Sequence, residues 1–129
     1  MTAKMNKPIM AIGNGHCYNS GAAWLQSTGC PISTLNSRVA FNDVQFGFVP
    51  HGGSTYYLSR LPGELGTFLA VTGLPITGID AVMNGITDKL IHTAQSHENM
   101  LLDTFINLDF PIPNGYHLSD RFTKNPWLD

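Results

Sequence analysis

The stretch Ile9-Met10-Ala11-Ile12-Gly13-Asn14-Gly15-His16-Cys17-Tyr18-Asn19-Ser20-Gly21-Ala22-Ala23-Trp24-Leu25 decides how this chain folds. A short apolar run that ends on a glycine cluster suits a buried strand entering a loop. Small residues and good helix formers follow Ser20-Gly21, so the loop feeds a short helix whose first backbone N–H groups find no acceptor within it. Strand, loop and helix in that order make an α/β unit, and the loop from Gly13 to Gly21 is the first place to expect function.

Downstream, Cys30 to Thr34 and Arg38 to Phe41 read as two extended segments. Between them Leu35-Asn36-Ser37 favours a turn, and both segments are expected to continue the sheet. Phe46-Gly47-Phe48-Val49-Pro50 reads as non-helical, because the residue before a proline is pushed towards extended geometry; Gly52-Gly53-Ser54 then offers a second helix start. Tyr56, Tyr57 and Leu61 are the candidates for that helix's buried face. After the break at Pro62-Gly63, Leu65, Phe68, Leu69 and Thr72 follow helical spacing, and Gly73 stands where a left-handed cap falls. Thr77 with Asp80 reads as the capping arrangement of a helix of about two turns, which Gly85 closes before an extended Ile86 to Ile91. A further helix is expected over Gln95 to Leu108. The tail from Asp109 to Asp129 holds Pro111, Pro113, Asn114-Gly115 and Pro126, and is expected to carry no regular structure of its own.

With 129 residues, 43% of them hydrophobic, the chain has enough apolar material for one domain core. Charged residues make up 12% and the net charge is −2, so no basic excess favours direct contact with nucleic acid or anionic lipid. Cys17 and Cys30 fit neither a metal spacing nor a secreted disulfide framework, and they read as two reduced thiols. No apolar stretch approaches the roughly 20 residues of a membrane span, and Met1 to Lys7 lacks the apolar centre of a signal peptide. The chain therefore reads as soluble.

Taken in order, the segments from Lys7-Pro8 to about Ile91 resemble the crotonase superfamily, in the branch that holds 3-hydroxyisobutyryl-CoA hydrolase. Lys7-Pro8-Ile9-Met10-Ala11 followed by Gly15 and Gly21 is similar to the family's Lys-Pro, apolar strand and glycine-rich oxyanion loop. Gly47-Phe48-Val49-Pro50 with Gly53, Tyr56 to Leu58 and Arg60-Leu61 resembles its Gly-x-x-Pro turn and the helix that follows. Leu65-Gly66 with Phe68-Leu69-Ala70-Val71-Thr72-Gly73 is close to a family signature. The resemblance implies an α/β, partial crotonase (ClpP/crotonase-like) fold of ββα units, with helices following the oxyanion loop. On this reading residues 1–91 are the central part of the domain and residues 92–129 a helix plus an irregular tail. The resemblance also implies a coenzyme A thioester as substrate, no metal or other cofactor, and a mitochondrial location. Because the family's domain begins upstream of the match, the sequence is expected to be either a fragment of a longer or split protein or a remnant completed by other protein chains, which are the expected partners in the domain or a larger assembly.

In the family, two backbone N–H groups hold the thioester oxygen, since fixed donors stabilise negative charge developing there without having to reorganise. The resemblance carries one donor onto the N–H of Ser20, with Gly21 beside it, in an Asn19-Ser20-Gly21 run where the family has three glycines. The other reading of Ser20 is an ordinary helix-start residue. The hydrolase branch's two acids fall on Asp43 and on His51. Asp43 keeps a carboxylate on a shorter stem, and His51 can take a proton from water near neutral pH with Asp43 orienting it. The alternatives are an acid in a turn beside Asn42 and a loop histidine beside Gly52-Gly53. Ala23 stands where the hydratase branch has a glutamate, which leaves hydration unsupported and agrees with the hydrolase branch. His16-Cys17 admits a cysteine nucleophile with an adjacent base, although neighbouring residues seldom point at one another. His92, His97 and His117 have no ligand spacing and read as solvated. Two functions follow from the resemblance. One is an acyl-CoA hydrolase of the 3-hydroxyisobutyryl-CoA type, in valine breakdown. The other, prompted by the changes at Asn19, Ser20, Asp43 and His51, is an inactive structural subunit of an assembly such as a mitochondrial ribosome.

Overall fold

In a computed structural model that describes residues 9–92, the apolar run becomes strand β1 (Met10–Gly13). It lies parallel to β3 (Cys30–Thr34), whose other edge pairs in parallel with β6 (Lys89–Ile91). A second sheet has the order β2-β4-β5, with β2 (His16–Tyr18) parallel and β5 (Ile76–Thr77) antiparallel to β4 (Arg38–Ala40). The extended segments at 30–34 and 38–41 therefore do not continue one sheet, and the loop from Gly13 to Gly21 itself contains a strand. The cause lies at the corner where both chain segments bend together. The Arg38 N–H donates to the Gly15 carbonyl at 2.8 Å. The buried Ser37 hydroxyl donates to the Gly13 carbonyl at 2.6 Å and accepts from the Thr34 N–H at 2.8 Å. These bonds satisfy backbone groups that a straight ladder would have paired, and so let two strands pass from one sheet into the other.

Helix α1 (Ser20–Gln26) follows β2, and α2 (Ser54–Leu58), α3 (Leu65–Thr72) and α4 (Gly78–Met83) come later. A 3-10 helix, Asn42–Phe46, takes in the first residue of the stretch expected to be non-helical. Gly73 caps α3 in the left-handed conformation, and Thr77 and Asp80 form a reciprocal capping box on α4, as their positions imply. The extended Ile86 to Ile91 shrinks to β6, because the N–H groups of Ile86 and Thr87 both turn back to the Ala81 carbonyl. Tyr57 and Leu61 are buried, but Tyr56 is 45% exposed; the Arg60 guanidinium sits 3.6 Å from its ring centroid and makes the surface a favourable place for it. Phe68 is likewise on the surface, at 51%. The expected helix Gln95–Leu108, the tail Asp109–Asp129, Lys7-Pro8, His97 and His117 lie outside the described residues.

Ala22 and Leu25 of α1 pack with Val39, Phe41, Leu58, Leu61, Leu69 and Ile86 into one apolar cluster. Burial of each of the larger side chains contributes about 1.5–3 kcal/mol, and the cluster fixes the start of α1 relative to the chain that enters α2. The tightest approach is at Gly66, where a β-carbon would fall 1.7 Å from the Leu58 carbonyl oxygen. Gly66→Ala must force α2 and α3 apart and is expected to lower stability by at least about 2 kcal/mol. Gly21→Ala, with nothing within 4 Å of the added carbon, should shift it by less than about 1 kcal/mol. Urea unfolding midpoints of the two variants check the contrast.

Candidate active site

Three side chains from separate parts of the chain meet at the start of α1. Asp43 lies in the first turn of the 3-10 helix with its side chain 3% exposed, and its carbonyl accepts from the Phe48 N–H at 3.1 Å. The chain then passes through Pro50 to His51, whose carbonyl accepts both the N–H (3.1 Å) and the hydroxyl (2.8 Å) of buried Ser54. That double acceptance holds the His51 backbone in place. Gly52 follows with φ 66°, and a β-carbon on it would come within 3.0 Å of the Ala23 side chain. A bare backbone facing a methyl group is what lets this loop lie against α1. His51 is thereby carried to Ser20, with its own side chain 55% exposed.

His51 Nδ1 is 2.5 Å from Asp43 Oδ1, and His51 Nε2 is 2.7 Å from Ser20 Oγ. A carboxylate has no hydrogen to donate, so Nδ1 carries one; in the neutral ring Nε2 then holds a lone pair and accepts from the Ser20 hydroxyl. The second carboxylate oxygen, Asp43 Oδ2, is buried and has no hydrogen-bond partner among the described residues. The charge of Asp43 therefore bears mainly on the imidazole. Ser20 itself is exposed.

Asn19, immediately before Ser20, has φ 50° and ψ −114° and is the one non-glycine residue with positive φ among the described residues. Such a conformation costs about 1–3 kcal/mol and persists where the surroundings over-determine it. Here the Asn19 N–H donates to the Ala40 carbonyl and its own carbonyl accepts from the Ala23 N–H, both at 2.9 Å. This turn makes Ser20 and Gly21 the first two helical residues, so their N–H groups have no acceptor within the helix.

The geometry thus brings Ser20, Asp43 and His51 together, with Gly21 alongside. Two contributions were not visible in the sequence. The hydroxyl of Ser20, as distinct from its N–H, reaches a histidine 31 positions away, and Ser54 anchors that histidine. Ser54 directly follows Gly52-Gly53, a helix-start signal, but nothing local points Ser20 at His51. Among the described residues, no group of three or more His, Cys, Asp or Glu is placed to hold a metal ion. No described helix is long and apolar enough to cross a membrane.

A family model described as enoyl-CoA hydratase/isomerase matches residues 1–112. Over 80 residues the chain is 38% identical to the small ribosomal subunit protein mS47 of Arabidopsis thaliana, covering 62% of this chain and 20% of that protein. Over 124 residues it is 30% identical to the mitochondrial 3-hydroxyisobutyryl-CoA hydrolase of Danio rerio, covering 95% of this chain and 32% of that one. The chain thus spans a fifth to a third of these relatives' lengths. An enoyl-CoA hydratase structure from Rhodobacter sphaeroides superposes with a TM-score of 0.74 at 24% identity, over 95% of this chain and 38% of that one. It establishes the shared fold.

Cys17 stands apart from the site. His16 stacks on Tyr18 with ring centroids 5.2 Å apart, while Cys17, between them on β2, points to the opposite face, where its sulfur approaches Gly13. Burial pushes its thiol pKa up, against a smaller lowering by a hydrogen bond from the Asn14 backbone. A raised pKa keeps the protonated, unreactive form up to higher pH. Alkylation of Cys17 by iodoacetamide, followed by peptide mass spectrometry, is therefore expected to be slow at pH 7 and to rise only above the ordinary thiol range. Rapid modification at neutral pH would reinstate a His16-assisted cysteine nucleophile.

Proposed function

The chain belongs to the enoyl-CoA hydratase/isomerase (crotonase) family, and on that premise we propose that it hydrolyses an acyl-CoA thioester of the 3-hydroxyisobutyryl-CoA type, as in valine breakdown. The observation that carries this reading is the hydrogen-bonded Asp43–His51 pair beside the start of α1. In the proposed reaction the thioester oxygen accepts from the N–H of Ser20, and the Gly21 position gives the acyl group room to approach. His51, held in one tautomer by Asp43, takes the proton of the attacking nucleophile and returns it to the departing thiol. Coenzyme A enters as part of the substrate; no metal or further cofactor is assigned. The similarity to mitochondrial hydrolases supports a mitochondrial location. The test is release of CoA from 3-hydroxyisobutyryl-CoA by the full-length protein. Asp43→Ala is expected to lower the rate by about 10²- to 10⁴-fold, and an unchanged rate would remove Asp43 from the reaction.

A second reading has its own support. The match to a small ribosomal subunit protein is the higher in identity of the two relatives described, and Phe46, Phe48, Val49 and Val71 expose large apolar surfaces suited to contact with another chain. On that reading the domain is a structural subunit held by protein contacts, with no direct role for nucleic acid. It predicts that the full-length protein sediments with the small mitochondrial ribosomal subunit and releases no CoA. A free protein with hydrolase activity would overturn it.

A further inference from the structure

We propose that the hydroxyl of Ser20 is the nucleophile of a Ser20–His51–Asp43 triad, so that hydrolysis passes through an acyl group covalently attached to this serine. The inference rests on the thioesterase reading above for its substrate, but on different atoms. That reading uses the backbone N–H of Ser20, whereas the triad uses Oγ.

Three features of the geometry support it. Ser20 Oγ, His51 and Asp43 Oδ1 form an unbroken chain of hydrogen bonds at 2.7 and 2.5 Å, each ring nitrogen serving one partner. That is the nucleophile, base and orienter arrangement that activates a hydroxyl. Exposure grades along the chain in the sense the chemistry requires: Ser20 is open to solvent, the His51 side chain is 55% exposed and that of Asp43 only 3%. The reacting oxygen can thus meet a large substrate, while the carboxylate that stabilises the imidazolium stays shielded. Finally, the strained backbone of Asn19 and the bonds from Ser54 to the His51 carbonyl hold the two reacting groups from both sides. A hydroxyl and a histidine that met by chance on a surface would need neither.

The steps balance without a further reagent. Ser20 Oγ attacks the thioester carbonyl carbon as its proton passes to His51 Nε2. The tetrahedral adduct collapses with cleavage of the C–S bond, and the CoA sulfur leaves with that proton as a thiol. Water then attacks the acyl ester, giving a proton to Nε2. Cleavage of the C–Oγ bond releases the carboxylic acid, and Ser20 regains its hydrogen from His51.

The test uses the full-length protein and an alkyl fluorophosphonate, which reports a nucleophilic serine whatever the natural substrate. Expected are one phosphonyl group per chain, mapped to Ser20, no label in Ser20→Ala, and labelling slowed by more than about 100-fold in His51→Gln. Ser20 and His51 are both exposed enough for these variants to fold, which circular dichroism verifies. Acid quench during turnover of 3-hydroxyisobutyryl-CoA should trap the acyl mass on Ser20. Labelled Ser20 without CoA release would uphold the triad and overturn the thioester substrate. CoA release that persists in Ser20→Ala, with no label, would overturn the triad and leave His51 activating water directly. Absence of both label and CoA release would overturn the nucleophile and the hydrolase reading together.

Discussion

The contact on which the site depends is the one between the Gly52 backbone and the Ala23 methyl group. A β-carbon at position 52 would stand 3.0 Å from that methyl group, so the loop has no room to spare as it crosses α1. Everything chemical follows from this closeness. His51 projects from the same loop, and the loop's distance from α1 sets whether its ring reaches Ser20. A larger side chain at 23 or 52 would lift the loop, and a shift of about 1 Å is enough to break a hydrogen-bonded reacting pair. The small side chain of Ala23 thus leaves open the space that the histidine loop occupies.

Much of the fold was legible because its signals are local. The capping box of Thr77 and Asp80 needs only two residues three apart, and Gly73 ends α3 by its own backbone freedom. The first strand and the helix after Ser20-Gly21 also stand where their short-range patterns put them. The division into two sheets was not legible. It depends on the Ser37 hydroxyl meeting the carbonyl of Gly13, 24 positions away, and no periodicity encodes such a bond. Tyr56 reads as a core residue by type, yet a neighbouring arginine makes the surface a good place for its ring. The site behaves like the sheets. Asp43 and His51 could be paired on paper, being near in sequence, whereas the Ser20 hydroxyl comes into reach only through packing between α1 and the loop.

The energetics of Asp43 bear on whether the site is a relic. A buried carboxylate with one oxygen unpartnered is expensive to maintain, and an apolar residue of similar volume at such a place is often neutral or stabilising. The molecule nonetheless keeps it, against a histidine whose far nitrogen faces a hydroxyl. As scaffold this arrangement is poor, since it orders polar groups at a cost and returns little apolar contact. As chemistry it is coherent, because a shielded carboxylate with a single partner stabilises the imidazolium formed when that histidine accepts a proton.

Asn19 completes the same reasoning from the backbone side. Its φ of 50° lies in the region glycine adopts most easily, so an asparagine there carries strain that a glycine would avoid. The N–H groups at the start of α1 would have no acceptor within the helix with either residue. What the turn adds is a fixed entry angle for Ser20, pinned by the Ala40 carbonyl on one side and the Ala23 N–H on the other. A fixed angle matters little for a backbone donor already set by the helix, but a great deal for a hydroxyl that must stay within hydrogen-bond reach of an imidazole. Strain at 19 and the reach of the Ser20 side chain to His51 are then two ends of one constraint.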